Sequence, residues 1–372
     1  MRIEGITLRE IRLPLREPFR ISSGVVHERR ILLLELRDAS GASAWSECVA
    51  EEQPNYSPET VDTAWLMIGQ AVAPRVLGRE LSHARELHGL LERHFRGHPM
   101  AKAAVEMGAW GLGATLAGEP LARYIGGSRA AIATGISLGI QEHPQALVEK
   151  ARAALAQGYR KLKLKIEPGH DVAFVAAVRD ALGEEAPLMA DANSAYTLAD
   201  AARLLELDAL GLMMIEQPLA WDDLLRHAEL QKRLRTPLCL DESITSLDRA
   251  QDMIALGSGR IVNLKPGRVG GFSPSLAIHD YCRDHGVPVW CGGMLESGVG
   301  RAYNVALASL PNFSLPGDVS PSARYWDADV VTPEWTMEDG MVRVPLERPG
   351  IGVTVDEARV AALTVRSAVL RS

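Results

Sequence analysis

The sequence predicts an α/β protein in which a (β/α)8 barrel, of the modified TIM type, carries an α+β capping domain. Three observations support this fold. Short aliphatic runs alternate with helical patterns after about residue 126, and charged residues follow successive runs at nearly constant spacing. A typical barrel of roughly 250 residues would also leave about a third of the 372 residues unassigned. We expect residues 1–125 to form an N-terminal α+β capping domain, residues 126–325 the barrel, and residues 326–372 a C-terminal segment that returns to the cap.

The composition indicates a globular protein with a large core and excludes several classes of protein. Hydrophobic residues make up 47% of the chain, and 40 Lys and Arg residues against 47 Asp and Glu give a net charge of −7 without a sustained basic run. We therefore expect no nucleic-acid partner. No stretch approaches the roughly 18 apolar residues of a membrane helix, so we expect no membrane partner. The four cysteines contain no C-x-x-C pair, which is typical of a reduced, cytoplasmic protein.

The N-terminal third contains strand patterns followed by helical patterns. Strand-like stretches at residues 6–13 and 31–36 predict the start of a small antiparallel sheet, and residues 38–41 form a turn signal after the second stretch. Ser57 followed by Pro58 predicts the start of a helix with Ser57 as its N-cap residue. Further helical patterns cover residues 82–95 and 100–116.

Beyond residue 126 the chain alternates between short strand patterns and helical patterns, as a repeating βα unit requires. Each short run is rich in β-branched or aliphatic residues and ends in a polar residue or glycine. Eight such runs are present, which is the number of strands in a TIM barrel. They comprise residues 132–138, 161–166, 187–190, 212–215, 237–240, 260–264, 288–290 and 313–315.

Five charged residues at the ends of consecutive runs are evenly spaced. Lys165, Asp191, Glu216, Asp241 and Lys265 are separated in turn by 26, 25, 25 and 24 residues, which is the length of one strand, one helix and two loops. Each therefore takes the same place in successive βα units, at the C-terminal mouth of a barrel where the chemistry of this fold occurs. Accidental spacing and structural salt bridges between neighbouring strands are the alternative interpretations.

The three acidic residues of this series predict a metal site. Asp191, Glu216 and Asp241 come from adjacent strands, and three carboxylates that converge repel one another unless a cation lies between them. Ligation by oxygen alone, without a His or Cys partner, favours a hard ion. We therefore expect Mg2+, with Mn2+ as a possible substitute.

A lysine flanks the acidic residues on each side. Lys165 precedes them and Lys265 follows them, and Lys163 lies on the same face of its strand as Lys165. A divalent cation and the second ammonium of Lys163 should lower the pKa of a lysine enough for it to act as a base. A metal between two bases suits abstraction of a proton next to a carboxylate. The alternative for Lys163 and Lys165 is a solvated basic strand end.

Six sequence strings around these residues resemble the enolase superfamily. Within it they are similar to the muconate-lactonising subgroup, and most of all to the o-succinylbenzoate synthase and N-succinylamino acid (N-acylamino acid) racemase family. The pairing of a lysine base with Mg2+ is a known pattern of enolase-superfamily sites. The strings are KLKIEPG at 163–169, DANSAY at 191–196, IEQPL at 215–219, LDES at 240–243, NLKPGRVGG at 263–271 and GGMLESG at 292–298.

The resemblance implies a role for each matching residue. It makes Asp191, Glu216 and Asp241 the Mg2+ ligands, and Lys165 and Lys265 the acid and base on opposite faces of the substrate. The residues implied to orient these ligands and lysines are Lys163, Asn193, Glu242 and Arg268.

For Arg268, three residues after Lys265, we expect an influence on the pKa of that lysine; a surface or interdomain salt bridge is the equal alternative. The sequence Trp290-Cys291-Gly292 lacks the histidine that the mandelate-type branch carries at the seventh strand.

Substrate contacts are implied in the cap and at the barrel mouth. Candidates matched to family substrate contacts are Phe19, Tyr56, Ser137, Gly293, Met294 and Leu295. For Phe19 and Met294, packing in the core is the alternative interpretation.

The resemblance implies proton abstraction α to a carboxylate through an enediolate. The expected reactions are o-succinylbenzoate synthesis by dehydration, a step of menaquinone biosynthesis, and racemisation of N-succinylamino acids. The expected partner is a small carboxylate with a succinyl or N-acyl group, and we expect a homo-oligomer. Dipeptide epimerisation is a rival, although its usual D-x-D pair is represented here by Asp318 with Ser320. Muconate cycloisomerisation, a Schiff-base aldolase barrel and a non-catalytic binding barrel are further alternatives.

Overall fold

The computed structural model describes all 372 residues, in fifteen strands and fourteen α-helices. The strands are β1 (Ile3–Ile21), β2 (Gly24–Asp38), β3 (Ser43–Cys48), β4 (Ala131–Ala133), β5 (Ile136–Leu138), β6 (Leu162–Lys165), β7 (Leu188–Asp191), β8 (Ile215–Glu216), β9 (Leu238–Leu240), β10 (Ile261–Leu264), β11 (Val289–Cys291), β12 (Val331–Thr332), β13 (Met341–Arg343), β14 (Thr354–Val355) and β15 (Thr364–Arg371).

The helices are α1 (Val61–Met67), α2 (Ala73–Val76), α3 (Glu86–Glu92), α4 (Pro99–Ala117), α5 (Leu121–Tyr124), α6 (Pro144–Ala156), α7 (Val172–Leu182), α8 (Ala201–Leu207), α9 (Leu225–Arg233), α10 (Leu247–Leu256), α11 (Pro266–Val269), α12 (Phe272–Asp284), α13 (Gly298–Ala308) and α14 (Glu357–Leu363). No helix combines the length and the apolar composition needed to cross a lipid bilayer.

The capping domain contains a four-stranded antiparallel sheet in the order β15-β1-β2-β3. Both predicted N-terminal strands lie within the long β1–β2 hairpin, and β15 at the end of the chain pairs with β1, with Thr7 opposite Val369. Helix α4 packs on this sheet, where the Ser46 hydroxyl donates a hydrogen bond to Ala104 O. The C-terminal segment thus completes the N-terminal sheet, whereas the limits of the three predicted regions stay a prediction.

The predicted start of the first helix is wrong. Helix α1 begins at Val61, and its N-cap residue is Thr60, which forms a reciprocal capping box with Thr63. Residue Glu59, inside the predicted helix, instead turns its carboxylate to the N-terminus of α4, where it accepts hydrogen bonds from Met100 N (2.7 Å) and Ala101 N (3.0 Å). The predicted helix at 82–95 is confined to α3, while the prediction for 100–116 matches α4.

The barrel consists of seven parallel strands in the order β5 to β11, so the predicted eighth strand is wrong in detail. Residues 313–318 occupy the eighth position without forming a regular strand. Phe313 makes a single bridge to Val289 on one side and Gly317 makes one to Thr134 on the other. Pro316 between them has no N–H to donate, which prevents a continuous ladder. The segment nevertheless closes the sheet between β11 and β5.

The first predicted run is divided between two sheets. Strand β4 pairs antiparallel with β13 near the end of the chain, and β5 alone enters the barrel. The barrel floor below the mouth is a small apolar cluster of Met189, Met214, Cys239, Ile261 and Trp290.

The tip of the β1–β2 hairpin lies over the barrel mouth. Arg20 O accepts a hydrogen bond from Ile140 N (3.0 Å), and the Arg20 guanidinium pairs with Glu167 (3.0 Å) in the loop after β6. The Ser22 hydroxyl donates to Ala192 O (3.3 Å) after β7. The hairpin therefore forms one wall of any pocket at the mouth.

Candidate active site

The five evenly spaced charged residues lie together at the barrel mouth. Lys165, Asp191 and Glu216 are the last residues of β6, β7 and β8 and stand opposite one another in the sheet register. Asp241 and Lys265 directly follow β9 and β10. All five side chains are buried. The constant spacing in the sequence thus corresponds to equivalent positions in neighbouring strands.

Each acidic residue is held by cationic or amide groups. Lys165 Nζ lies 2.6 Å from Asp191 Oδ2, and Lys265 Nζ lies 2.9 Å from Asp241 Oδ2. Glu216 Oε1 accepts a hydrogen bond from Asn263 Nδ2 (2.6 Å), while Glu216 Oε2 is buried without a hydrogen-bond partner, although the Lys163 ammonium is 3.3 Å away.

The pKa values of the three acids diverge because their partners differ. Burial favours the neutral acid in all three. At Asp191 the ammonium groups of Lys165 and Lys163 outweigh the effect of burial and lower the pKa. At Asp241 the charges of Lys265 and Arg268 likewise outweigh burial and lower the pKa. At Glu216 burial and the neighbouring charge of Asp191 raise the pKa well above its usual value. Glu216 is therefore the carboxylate that lacks sufficient positive charge.

The three carboxylates offer the oxygen ligands of a divalent cation, although their contacts in this structure are mainly to lysines. No group of three or more His, Cys, Asp or Glu side chains is arranged to hold a metal ion, because Asp191 and Asp241 are turned toward lysines. Glu216 nevertheless has an unpaired oxygen close to two further carboxylates, and a hard cation would offset the repulsion among these charges. The residues fit such an ion once the two aspartates exchange lysine contacts for it.

The lysines before the acidic residues converge on one oxygen atom. Lys163 Nζ lies 3.2 Å from Asp191 Oδ2, the same atom that Lys165 contacts. Lys165 also donates to Asn193 Oδ1 (2.6 Å), and Asn193 Nδ2 donates to Glu242 Oε1 (3.1 Å). Burial and the charge of Asp241 raise the pKa of Glu242 to about 7. Asn193 thus connects the Lys165 ammonium to a second carboxyl group.

Lys265 stands on the other side of the acidic residues, in a space that a glycine provides. A Cβ atom at Gly292 would lie 2.6 Å from Lys265 Cε and 2.3 Å from Asn263 Oδ1. Burial favours the neutral amine, but Asp241 outweighs it and raises the pKa of Lys265. The lowered lysine pKa that the sequence predicts requires a bound divalent cation, and it stays a prediction.

Arg268 is buried at the junction of cap and barrel. It donates to Ile244 O (2.8 Å), Asn263 O (2.6 Å) and the Tyr56 hydroxyl (2.8 Å), and it contacts Asp241 Oδ1. The surface or interdomain salt bridge considered for this arginine is wrong, because the side chain is buried and its acidic partner, Asp241, belongs to the barrel. Through Tyr56 it joins the capping domain to the carboxylate beside Lys265.

One pocket lies between the hairpin and the barrel mouth. All six predicted substrate contacts line it, together with Lys163, Lys165, Lys265 and Asn193. The Ser137 hydroxyl is buried and has no hydrogen-bond partner. Lining residues that the sequence did not predict are Ile21, Val26, Glu51, Asp318 and Tyr325.

Comparison with known proteins places the whole chain in one family. Residues 3–126 match the N-terminal domain family of mandelate racemase and muconate lactonizing enzyme, and residues 146–359 match the enolase C-terminal domain-like family. The o-succinylbenzoate synthase of Geobacillus kaustophilus is 49% identical over 362 residues, which cover 97% of this chain and 96% of the relative. The N-succinylamino acid racemase of Thermus thermophilus is 49% identical over 353 residues, or 95% of each chain.

A solved structure agrees with both comparisons. An enolase-superfamily member from Listeria innocua superposes with a TM-score of 0.96 at 39% identity, over 100% of this chain and 99% of that chain. Enzymes of this superfamily generally use a divalent metal and act on small carboxylates. The chain is therefore an enzyme of the enolase superfamily and belongs to the family of o-succinylbenzoate synthases and N-succinylamino acid racemases.

Proposed function

We propose that the enzyme removes a proton α to a carboxylate in a Mg2+-dependent reaction, and that it carries out o-succinylbenzoate synthesis, N-succinylamino acid racemisation, or both. One observation carries the proposal: Lys165 and Lys265 line the same pocket from opposite sides of three carboxylates. The names of relatives at 49% identity supply the two reactions.

Asp191, Glu216 and Asp241 would hold the Mg2+ ion, and Mn2+ would substitute for it. When bound, the ion supplies positive charge to the substrate carboxylate and so stabilises the enediolate formed on loss of the α proton. The unpaired Glu216 oxygen supports this assignment.

The two lysines would move the protons. For racemisation, one lysine breaks the α C–H bond by taking the proton, and the opposite ammonium delivers a proton to the other face of the α carbon. For dehydration, one lysine takes the α proton of a cyclohexadiene carboxylate, the bond from carbon to the hydroxyl oxygen breaks, and the same lysine returns the proton so that water leaves. Racemisation therefore needs both lysines as acid and base, whereas dehydration needs one.

The charges of the pocket favour an anionic substrate with a neutral α substituent. Lys163, Lys165 and Lys265 present ammonium groups to it. Asp318 stands where dipeptide epimerases usually carry a D-x-D pair, but Lys161 and Lys163 already engage it at 3.2 and 2.5 Å. This engagement supports an N-acylated substrate over a dipeptide.

The proposal is tested by hydrogen exchange in D2O with each enantiomer of an N-succinylamino acid and Mg2+. We expect deuterium at the α carbon with the wild-type enzyme. Lys165→Ala and Lys265→Ala should each abolish racemisation, and each should retain exchange with one enantiomer only. Lys232→Ala, at an exposed position of α9, serves as a control that retains both.

Exchange of both enantiomers in both lysine variants would contradict the two-base mechanism. Borohydride trapping of substrate together with activity that resists EDTA would favour a Schiff base and contradict the Mg2+ assignment. Rates for the dehydration and racemisation substrates, measured side by side, then determine which reaction the enzyme favours.

A further inference from the structure

Strand β6 and the residue before it present three lysines to the barrel interior, and two aspartates alternate with them. Lys161 Nζ lies 3.2 Å from Asp318 Oδ1, and Lys163 Nζ lies 2.5 Å from Asp318 Oδ2. Asp191 Oδ2 then lies 3.2 Å from Lys163 and 2.6 Å from Lys165. We call these five side chains the charge ladder. It runs from the barrel floor to the catalytic mouth and alternates in sign at every step.

The lower end of the ladder is enclosed and well defined. Lys161 is fully buried, and its ammonium lies 3.4 Å from the centroid of the Trp290 ring, which belongs to the barrel floor. A Cβ atom at Gly135 would lie 2.8 Å from Lys161 Cβ, so any larger residue at position 135 would clash with this lysine. Burial favours the neutral acid, but Lys161 and Lys163 outweigh it and lower the pKa of Asp318 to about 2.

We infer that Asp318 is a positioning residue that draws the Lys163 ammonium toward itself and so limits its contact with the metal-binding carboxylates. Lys163 has three acidic neighbours, namely Asp318 at 2.5 Å, Asp191 at 3.2 Å and Glu216 at 3.3 Å. The shortest contact is to the one acid that is not a proposed metal ligand. Because a buried ammonium requires a partner, loss of Asp318 would leave it to Asp191 and Glu216.

This inference rests on the proposed function, since it assumes that Asp191 and Glu216 are metal ligands. An ammonium drawn to their oxygen atoms competes directly with Mg2+ for the same lone pairs. Asp318 would therefore act on metal affinity without contacting the metal, in the way that groups around a metal site orient its ligands. Lys161 supplies a second positive charge beside Asp318, and without it Asp318 would pair with Lys163 alone.

The test is a Mg2+ titration followed by the thermal unfolding midpoint of the protein, which requires no substrate. It compares wild type with Asp318→Asn, Lys161→Met and the double variant Lys161→Met/Asp318→Asn. We expect the Mg2+ concentration for half-maximal stabilisation to rise on the order of tenfold in Asp318→Asn. The same rise should persist in the double variant, whereas Lys161→Met alone should keep the wild-type value or a lower one.

The double variant separates positioning from simple charge. It removes one positive and one negative charge, so a purely electrostatic effect of Asp318 on Mg2+ predicts a return to the wild-type titration, and that result would overturn the inference. If the unpaired ammonium groups in Asp318→Asn prevent folding, the comparison of the double variant with wild type is sufficient to test the inference. A wild-type protein whose midpoint does not respond to Mg2+ would instead overturn the proposed metal site, and the inference with it.

Discussion

The contact of Tyr56 with the barrel yields a prediction whose size follows from the structure. The Tyr56 hydroxyl donates to Asp241 Oδ1 at 2.9 Å and accepts from Arg268 Nη1 at 2.8 Å, and its ring lies 4.4 Å from the Lys265 ammonium. Tyr56→Phe keeps the ring and removes only the hydroxyl. It therefore isolates one polar connection between the capping domain and the catalytic mouth.

Hydrogen bonds to charged groups contribute about 1.5–3 kcal/mol each. Asp241 keeps Lys265 and Arg268 in the variant, and Arg268 keeps two backbone carbonyl oxygens, so no charge loses its last partner. Two such bonds are lost, but both charged partners remain paired, so we expect Tyr56→Phe to lower the free energy of unfolding by about 1.5–3 kcal/mol, less than twice the value of one bond. For a chain of this length the melting temperature should fall by roughly 2–4 °C.

Calorimetry of Tyr56→Phe and of Tyr281→Phe, a partly exposed tyrosine of α12, measures this difference. The control should melt within about 1 °C of wild type, because surface substitutions usually change stability by less than 0.5 kcal/mol. In the same samples kcat/KM should fall for Tyr56→Phe, since Tyr56 lines the pocket and touches a proposed metal ligand. Equal melting temperatures for the two variants would show that the hydroxyl does not connect cap and barrel energetically.

Three further predictions concern other parts of the protein. Burial raises the pKa of Glu47 from 4.5 to about 8, so the unfolded chain releases this proton before the folded protein does. The stability from this group is complete below pH 4.5 and falls between pH 4.5 and 8; urea unfolding should show a smaller fall in Glu47→Gln than in wild type. Gly292→Ala should reduce racemisation on the order of 100-fold by displacing Lys265, measured as kcat, and unchanged turnover would contradict the close packing there. Removal of divalent cations by EDTA should stop α-proton exchange, and added Mg2+ or Mn2+ should restore it; continued exchange would refute the metal requirement.

The sequence predicted the barrel mouth well because the five charged residues repeat at the period of the fold itself. Lys161 carried a usable signal too, since it lies two residues before Lys163 and therefore on the same face of the strand. Its partner Asp318 follows the eighth predicted run, but nothing in the sequence pairs it with Lys161. That contact exists because residues 313–318 close the barrel between β11 and β5, and its two residues are more than 150 positions apart.

The same limit explains the wrong helix start. Ser57 and Thr60 both lie within one turn of the predicted N-terminus, and both residue types are favoured at the N-cap. Contacts with α4, some forty residues later, decide which of them does so, because the first free N–H groups of α4 donate hydrogen bonds to the Glu59 carboxylate. With Glu59 engaged there, Thr60 and Thr63 remain to cap α1.

The evenly spaced charges can be interpreted as structural salt bridges or as a catalytic site, and both interpretations describe the same contacts. The mouth and the ladder hold five buried cations and five buried acids. Pairing alone would give every group a hydrogen bond, yet Glu216 Oε2, Asp318 Oδ1 and Lys161 Nζ have none, and Asp191 shares one oxygen between two lysines. Such an uneven distribution costs stability in a purely structural network. A site that admits a divalent cation and a substrate carboxylate requires such a distribution, because Asp191, Glu216 and Asp241 would hold the cation and the lysines would then be free to exchange protons.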